Sequence, residues 1–148
     1  MVGVTIQIRG TKAVEHTLRK IAPKHALTLM RATIGAVAGD LRKAAIRNMD
    51  FGGPFTTGTM KKATKLRRRK VRKGIIQTDI VVGPQAFYWR FWEYGASNKT
   101  PEKAMFGRAV RKIAGQLDQL LERHFLKKFE ALLVREGKKQ KARLKHGR

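Results

Sequence analysis

Residues 24–49 read KHALTLMRATIGAVAGDLRKAAIRNM. Leu27, Met30, Ile34, Val37, Leu41 and Ala45 recur at steps of three and four, which on a helix of 3.6 residues per turn draws one continuous apolar stripe. A helix about seven turns long carrying such a stripe needs a second layer to cover it, so this stretch sets the problem that the rest of the chain must solve. Midway along it Ala32, Gly35, Ala36, Ala38 and Gly39 cluster. Glycine inside a helix costs about 1 kcal/mol relative to alanine, and the clustering predicts that a neighbouring helix or subunit approaches the backbone closely there.

Working outward, Val2, Val4, Ile6 and Ile8 occupy alternate positions and predict a strand that Gly10 ends. Thr11 is placed to cap a short helix carrying Val14, Leu18 and Ile21, which Pro23 closes. On the other side, Asp50 to Thr59 holds Gly52, Gly53, Pro54 and Gly58 and reads as a loop. From Lys61 to Lys73 there are nine basic residues and no acidic one: Lys61, Lys62, Lys65, Arg67, Arg68, Arg69, Lys70, Arg72 and Lys73. This run leads through Gly74 into Ile75, Ile76, Ile80, Val81 and Val82, a pattern that predicts a hairpin turning at Lys73 and Gly74. If Lys65 to Arg72 is its first strand, Arg68, Lys70 and Arg72 share one face and Arg67 and Arg69 the other. Neither face can be buried unaided, so the strand must project or lie on an edge.

Phe87, Tyr88, Trp89, Phe91, Trp92 and Tyr94 come next, with Arg90, Glu93 and Gly95 among them. Read as a strand, Phe87, Trp89 and Phe91 face one way; read as a helix, Tyr88, Phe91 and Trp92 cluster. Both readings favour core packing or a subunit contact over a base-stacking platform, and Glu93 is expected to pair with a nearby arginine. Asn98, Thr100 and Pro101 introduce a last helix in which Phe106, Val110, Ile113, Leu117, Leu120, Leu121, Phe125, Phe129, Leu132 and Leu133 keep helical spacing up to Gly137. Beyond it, Gly137 to Arg148 has six basic residues and a single large apolar one, Leu144, so by itself this end is expected to be disordered.

The whole chain has 148 residues, 34 of them Lys or Arg and 10 Asp or Glu, a formal net charge of +24. One domain is the expectation at this length. We expect an α+β fold: two long helices packed on a small, mostly antiparallel sheet with a projecting basic β-hairpin. Residues 1–136 would form the domain, 61–83 its hairpin arm and 137–148 a basic tail. There is no cysteine, hence no disulfide or thiolate chemistry. The opening residues lack the pattern of a secretion signal, and no apolar run approaches the roughly 20 residues that span a bilayer, so a soluble intracellular protein is expected.

Catalysis has little to work with. The carboxylates are scattered, and His16, His25, His124 and His146 lie on four separate segments without metal-ligand spacing. We therefore expect no catalytic residues, no metal and no cofactor, and read His124 as a surface bystander. The charge speaks instead for phosphates: clustered Lys and Arg release counterions from nucleic acid, and nothing in the chain reads a base sequence. The Lys61–Lys73 run is the candidate phosphate-proximal or partner-binding surface.

Three local patterns make the chain resemble the neck and tail-component proteins of long-tailed bacteriophages, the family of minor tail and tail completion proteins. One is an Ala- and Arg-rich helix followed by a loop ending in Thr-Gly and a basic segment, here Thr57, Gly58, Thr59, Met60, Lys61 and Lys62. The second is Tyr-x-x-Phe-x-Glu-aromatic-Gly after a Val-Gly strand end, here Val82, Gly83, Tyr88, Phe91, Glu93, Tyr94 and Gly95. The third opens the last helix with Pro101, Lys103, Met105, Phe106 and Ala109. Ala104 and Arg108 stand where family members often have proline, and Gly53, Pro54, Phe55 and Thr56 where Pro-Val-Asp is common.

The resemblance covers residues 4–134 and leaves out the basic tail. It implies a noncatalytic virion part, a ring of six copies between head-completion proteins and the tail-terminator and tail-tube proteins, assembled in the host cytoplasm and retained in the neck or tail. Its partners would be other copies of itself, those neighbours and, nonspecifically, the genomic duplex in the channel, with no membrane involved. Charge alone would equally suit a freestanding nonspecific nucleic-acid-binding protein of ribosome-associated or nucleoid type.

Overall fold

The computed structural model describes residues 3–6, 23–49, 58–72, 74–95 and 102–146. The expected helix at 11–21, the glycine-rich loop at 50–57, Lys73 and the helix-opening residues 98–101 lie outside the described residues. The elements are β1 (Gly3–Ile6), α1 (Pro23–Arg47), α2 (Thr59–Ala63), β2 (Thr64–Arg68), β3 (Thr78–Val82), α3 (Trp89–Tyr94), α4 (Met105–Ala114) and α5 (Leu117–His146), with a 3-10 turn at Pro84–Ala86.

The predicted seven-turn helix is α1, and the second layer that it requires comes from two directions. The three strands form an antiparallel sheet in the order β1-β3-β2, Val4 and Leu66 both standing opposite Ile80. Ile80 and Val82 of the central strand are buried with Leu41 and Ala45 of α1, Met49 just beyond it, and Met105, Phe106 and Ala109 of α4. On another side of α1, α5 packs through Leu29 against Phe125 and through Val37 against Leu120 and Leu121. The architecture is the α+β arrangement expected: long helices on a small antiparallel sheet with the basic strand, β2, at its edge.

Three details depart from expectation. Leu27, assigned to the apolar stripe, is 41% exposed, while Leu29 is buried, because α5 takes the flank of α1 that Leu29, Thr33 and Val37 share. The last helix is broken: Gly115 and Gln116 form a turn in which the Gln116 N–H donates to Ile113 O at 3.0 Å, so α4 can serve the sheet cluster while α5 follows α1. And α5 does not stop at Gly137; the helix runs on to His146 where a disordered basic end was expected. A row of Lys and Arg is compatible with helix because long unbranched side chains lose little rotamer freedom in it.

Candidate functional site

The basic run is built on the sheet edge from the inside out. Lys61 and Lys62 belong to the short helix α2, not to the strand. Thr64, fully buried, joins α2 to β2: its hydroxyl donates to Met60 O at 2.7 Å, and its carbonyl accepts from Arg42 Nε of α1 at 2.6 Å. Beyond Arg68 the ladder continues, Arg69 N–H donating to Gln77 O at 3.0 Å, and a bridge between Arg72 and Ile75 closes the hairpin with the Ile75 N–H donating to Arg72 O. Gly74 takes φ +75° at this turn, a conformation in which a Cβ would be strained.

Arg67 stands opposite Asp79 in the register. The Asp79 side chain is 2% exposed, and its carboxylate accepts from Arg69 Nε at 2.5 Å and Gln77 Nε2 at 2.8 Å. A buried carboxylate without such donors would be far too costly. Arg68, on the opposite face, lays its guanidinium over α1: a Cβ on Gly35 would lie 3.3 Å from Arg68 Nη2. The close approach predicted at the small-residue cluster is thus made at Gly35 by an arginine of the hairpin, not by a helix, while a Cβ on Gly39 would meet nothing within 4 Å. Arg68 and Arg69 are therefore tied into the fold. Lys62, Lys65, Arg67, Lys70 and Arg72 are also exposed, with Leu66 (39% exposed) and Ile75 (52%) as apolar points among them.

The aromatic segment resolves as a helix, and of the grouping read for a helix Tyr88 and Trp92 pack partly buried against the core. In α3 it is Trp89 and Glu93, four residues apart, that turn inward, while Phe91 is 49% exposed and Phe87 and Tyr94 are more so. Trp89 meets Phe106 edge-on at 5.6 Å. Among the described residues Glu93 pairs with no arginine. Its two oxygens accept the backbone N–H groups of Phe106 (2.9 Å) and Gly107 (2.8 Å) in the first turn of α4. Helix N-termini leave such donors unpaired and carry partial positive charge, so a carboxylate there is stabilising. A Cβ on Gly107 would lie 3.4 Å from Glu93 Oε1, which makes a small residue useful at that position. Of the motif Tyr88, Phe91, Glu93, Tyr94 and Gly95, Glu93 ties α3 to α4 and Gly95 (φ +76°) redirects the chain after α3. Phe87 and Phe91 border an open groove with Val82, Pro84 and Arg90.

The sequence reading missed one tie. His124 Nε2 of α5 lies 2.6 Å from Asp40 Oδ2 of α1, both half-buried, with Arg123 Nη2 at 3.8 Å. Nothing local signals a pair so far apart in the chain. Asp40, Asp79 and Glu93 are thereby all engaged in holding elements together. Among the described residues no three His, Asp or Glu side chains gather into a metal-binding group, and no helix is long and apolar enough to cross a membrane.

What this surface can do is present cations at fixed spacing on a rigid edge. Compared with known families, residues 12–95, more than half of the chain, match the family model described as "Bacteriophage HK97-gp10, putative tail-component". No curated protein and no solved structure matches.

Proposed function

The chain belongs to this family of bacteriophage tail components, and we propose that it is the ring-forming subunit that completes the tail and joins it to the DNA-filled head. In this reading six copies close a ring between head-completion proteins and the tail-terminator and tail-tube proteins, and the protein has no catalytic task. The observation that carries it is the basic hairpin: a run of cations without a single acid, held at a sheet edge by Asp79 and Arg68, with Lys62, Lys65, Lys70 and Arg72 exposed. A passage for the genome must tolerate phosphates without gripping bases, and nonspecific positive charge meets that requirement. The arm then faces either the duplex or the acidic surface of a neighbouring subunit.

The test is to replace Lys62, Lys65, Lys70 and Arg72 by glutamine in the phage. Folding is expected to be preserved, while heads and tails fail to join or filled heads leak DNA. Full infectivity of such particles would remove the arm from the mechanism. Purified protein that stays monomeric and binds duplex with a steep dependence on salt would instead favour the freestanding nucleic-acid binder.

A further inference from the structure

The outer face of α5 is at odds with the rest of this cationic molecule. Four of the ten acidic residues of the chain, Asp118, Glu122, Glu130 and Glu136, lie on this helix. At about 100° per residue they fall within an arc of about 120°, whereas Arg123, Lys127, Lys128, Arg135 and Lys138 occupy the remainder of its polar circumference. In the middle of the acidic arc stand Leu126 and Leu133, 49% and 56% exposed. Asp118 and Glu122 are four residues apart, a like-charge pair that works against the isolated helix. Among the described residues neither Glu122 nor Glu130 makes a side-chain hydrogen bond or ion pair. An exposed face that combines leucines with unneutralised acids fits a partner offering apolar points among cations.

The chain itself contains that partner surface. On the hairpin Leu66 and Ile75 are exposed, with the exposed cations Lys70 and Arg72 beside them. The two surfaces sit on different flanks of α1: α5 packs along Leu29, Val37 and Asp40, whereas the hairpin side reaches Gly35 and Arg42. These flanks are separated by about 160° around the helix. They cannot close on each other within one copy, but they can between copies, and a contact joining two different patches repeats from head to tail and closes into a ring when its rotation allows.

We propose that the basic hairpin of one copy docks on the Glu122–Leu126–Glu130–Leu133 face of α5 in the next. This rests on the ring-forming reading above and names the contact that would build the ring. It assigns part of the arm to protein and leaves the remaining cations for the genome.

The test is a charge swap followed by sedimentation. Glu122→Lys with Glu130→Lys, and separately Lys70→Glu with Arg72→Glu, are each expected to weaken self-association by about tenfold or more, since close charge pairs at interfaces are strongly coupled. Combining the four substitutions in one chain is expected to restore it. Because the chain has no cysteine, a Leu126→Cys, Ile75→Cys double variant provides a second measurement: under oxidation it should give a ladder of linked oligomers, and the single variants no species beyond a dimer. If the rings persist unchanged in both charge reversals and the double variant gives no ladder, the contact is wrong while the ring-forming reading survives. If the unmodified protein is monomeric at all concentrations, both fall.

Discussion

The hairpin and the aromatic turn are each anchored by one buried carboxylate, and the donors around that carboxylate differ. Asp79 is met by side chains, the Arg69 guanidinium and the Gln77 amide; Glu93 is met by two backbone N–H groups of α4. The Arg69 side chain is 46% exposed, so it can return to water if its partner is removed. The amides of Phe106 and Gly107 cannot move without the helix that they begin. The first arrangement leaves the cationic edge in water, as the proposed contact surface requires. The second fixes the angle between two packed elements, so the proposed contact surface and the joint that holds α3 to α4 are built from different parts of the chain.

Removing the joint should therefore cost most. Glu93→Ala is expected to lower unfolding free energy by about 3 kcal/mol, because two helix-start amides lose a charged acceptor in a closed environment; Glu93→Gln should recover part of this, and urea denaturation measures both. Equal losses for Glu93→Ala and Asp79→Ala would break the comparison. Within the hairpin the two partners are unequal. Arg69→Ala removes the charged donor of a buried carboxylate and should cost about 2 kcal/mol, whereas Asp79→Ala releases a half-exposed arginine and should cost about 1 kcal/mol. A double variant less damaged than the sum of the two would confirm the coupling.

Smaller effects separate the two glycines of α1. Gly39→Ala is expected to stabilise by up to about 1 kcal/mol, since nothing stands where the new methyl would go. Gly35→Ala should gain less, because the Arg68 guanidinium must withdraw by a few tenths of an ångström. Thermal denaturation of the pair tests whether the hairpin rests on α1 through that arginine. Smallest of all, glutamine at Lys62, Lys65 and Lys70 should change stability by no more than about 0.5 kcal/mol, because these side chains face solvent; a larger loss would make them part of the scaffold.

Much of this was legible from residue order. The period of α1, the hairpin with its turn at Gly74, and the edge position of the basic strand all follow from local pattern, since a strand with cations on both faces has no buried face to offer. The break at Gly115 was not, because apolar spacing continues through it from Ile113 to Leu117 and Leu120. Nor was the inward face of α3. Tyr88, Phe91 and Trp92 form an apolar grouping on the helical wheel, and Tyr88 and Trp92 do pack on the core, yet the deepest burial goes to Glu93, drawn inward by donors that exist only once α4 has begun twelve residues later, and to Trp89 one turn earlier.

By itself the sequence determined the charge of this tail component, the absence of thiol chemistry, the long helix and the cationic edge, because these depend on residue type and on repeats within a few positions. The tertiary structure alone decided which acids anchor and which face outward. Asp40, Asp79 and Glu93 are held by His124, Arg69 and the start of α4, whereas Glu122 and Glu130 stand outward beside exposed leucines. The physical reason is that a carboxylate's role is set by the donors within hydrogen-bond reach, and at Asp40, and for the amides that hold Glu93, those donors come from distant turns of chain that only folding brings together.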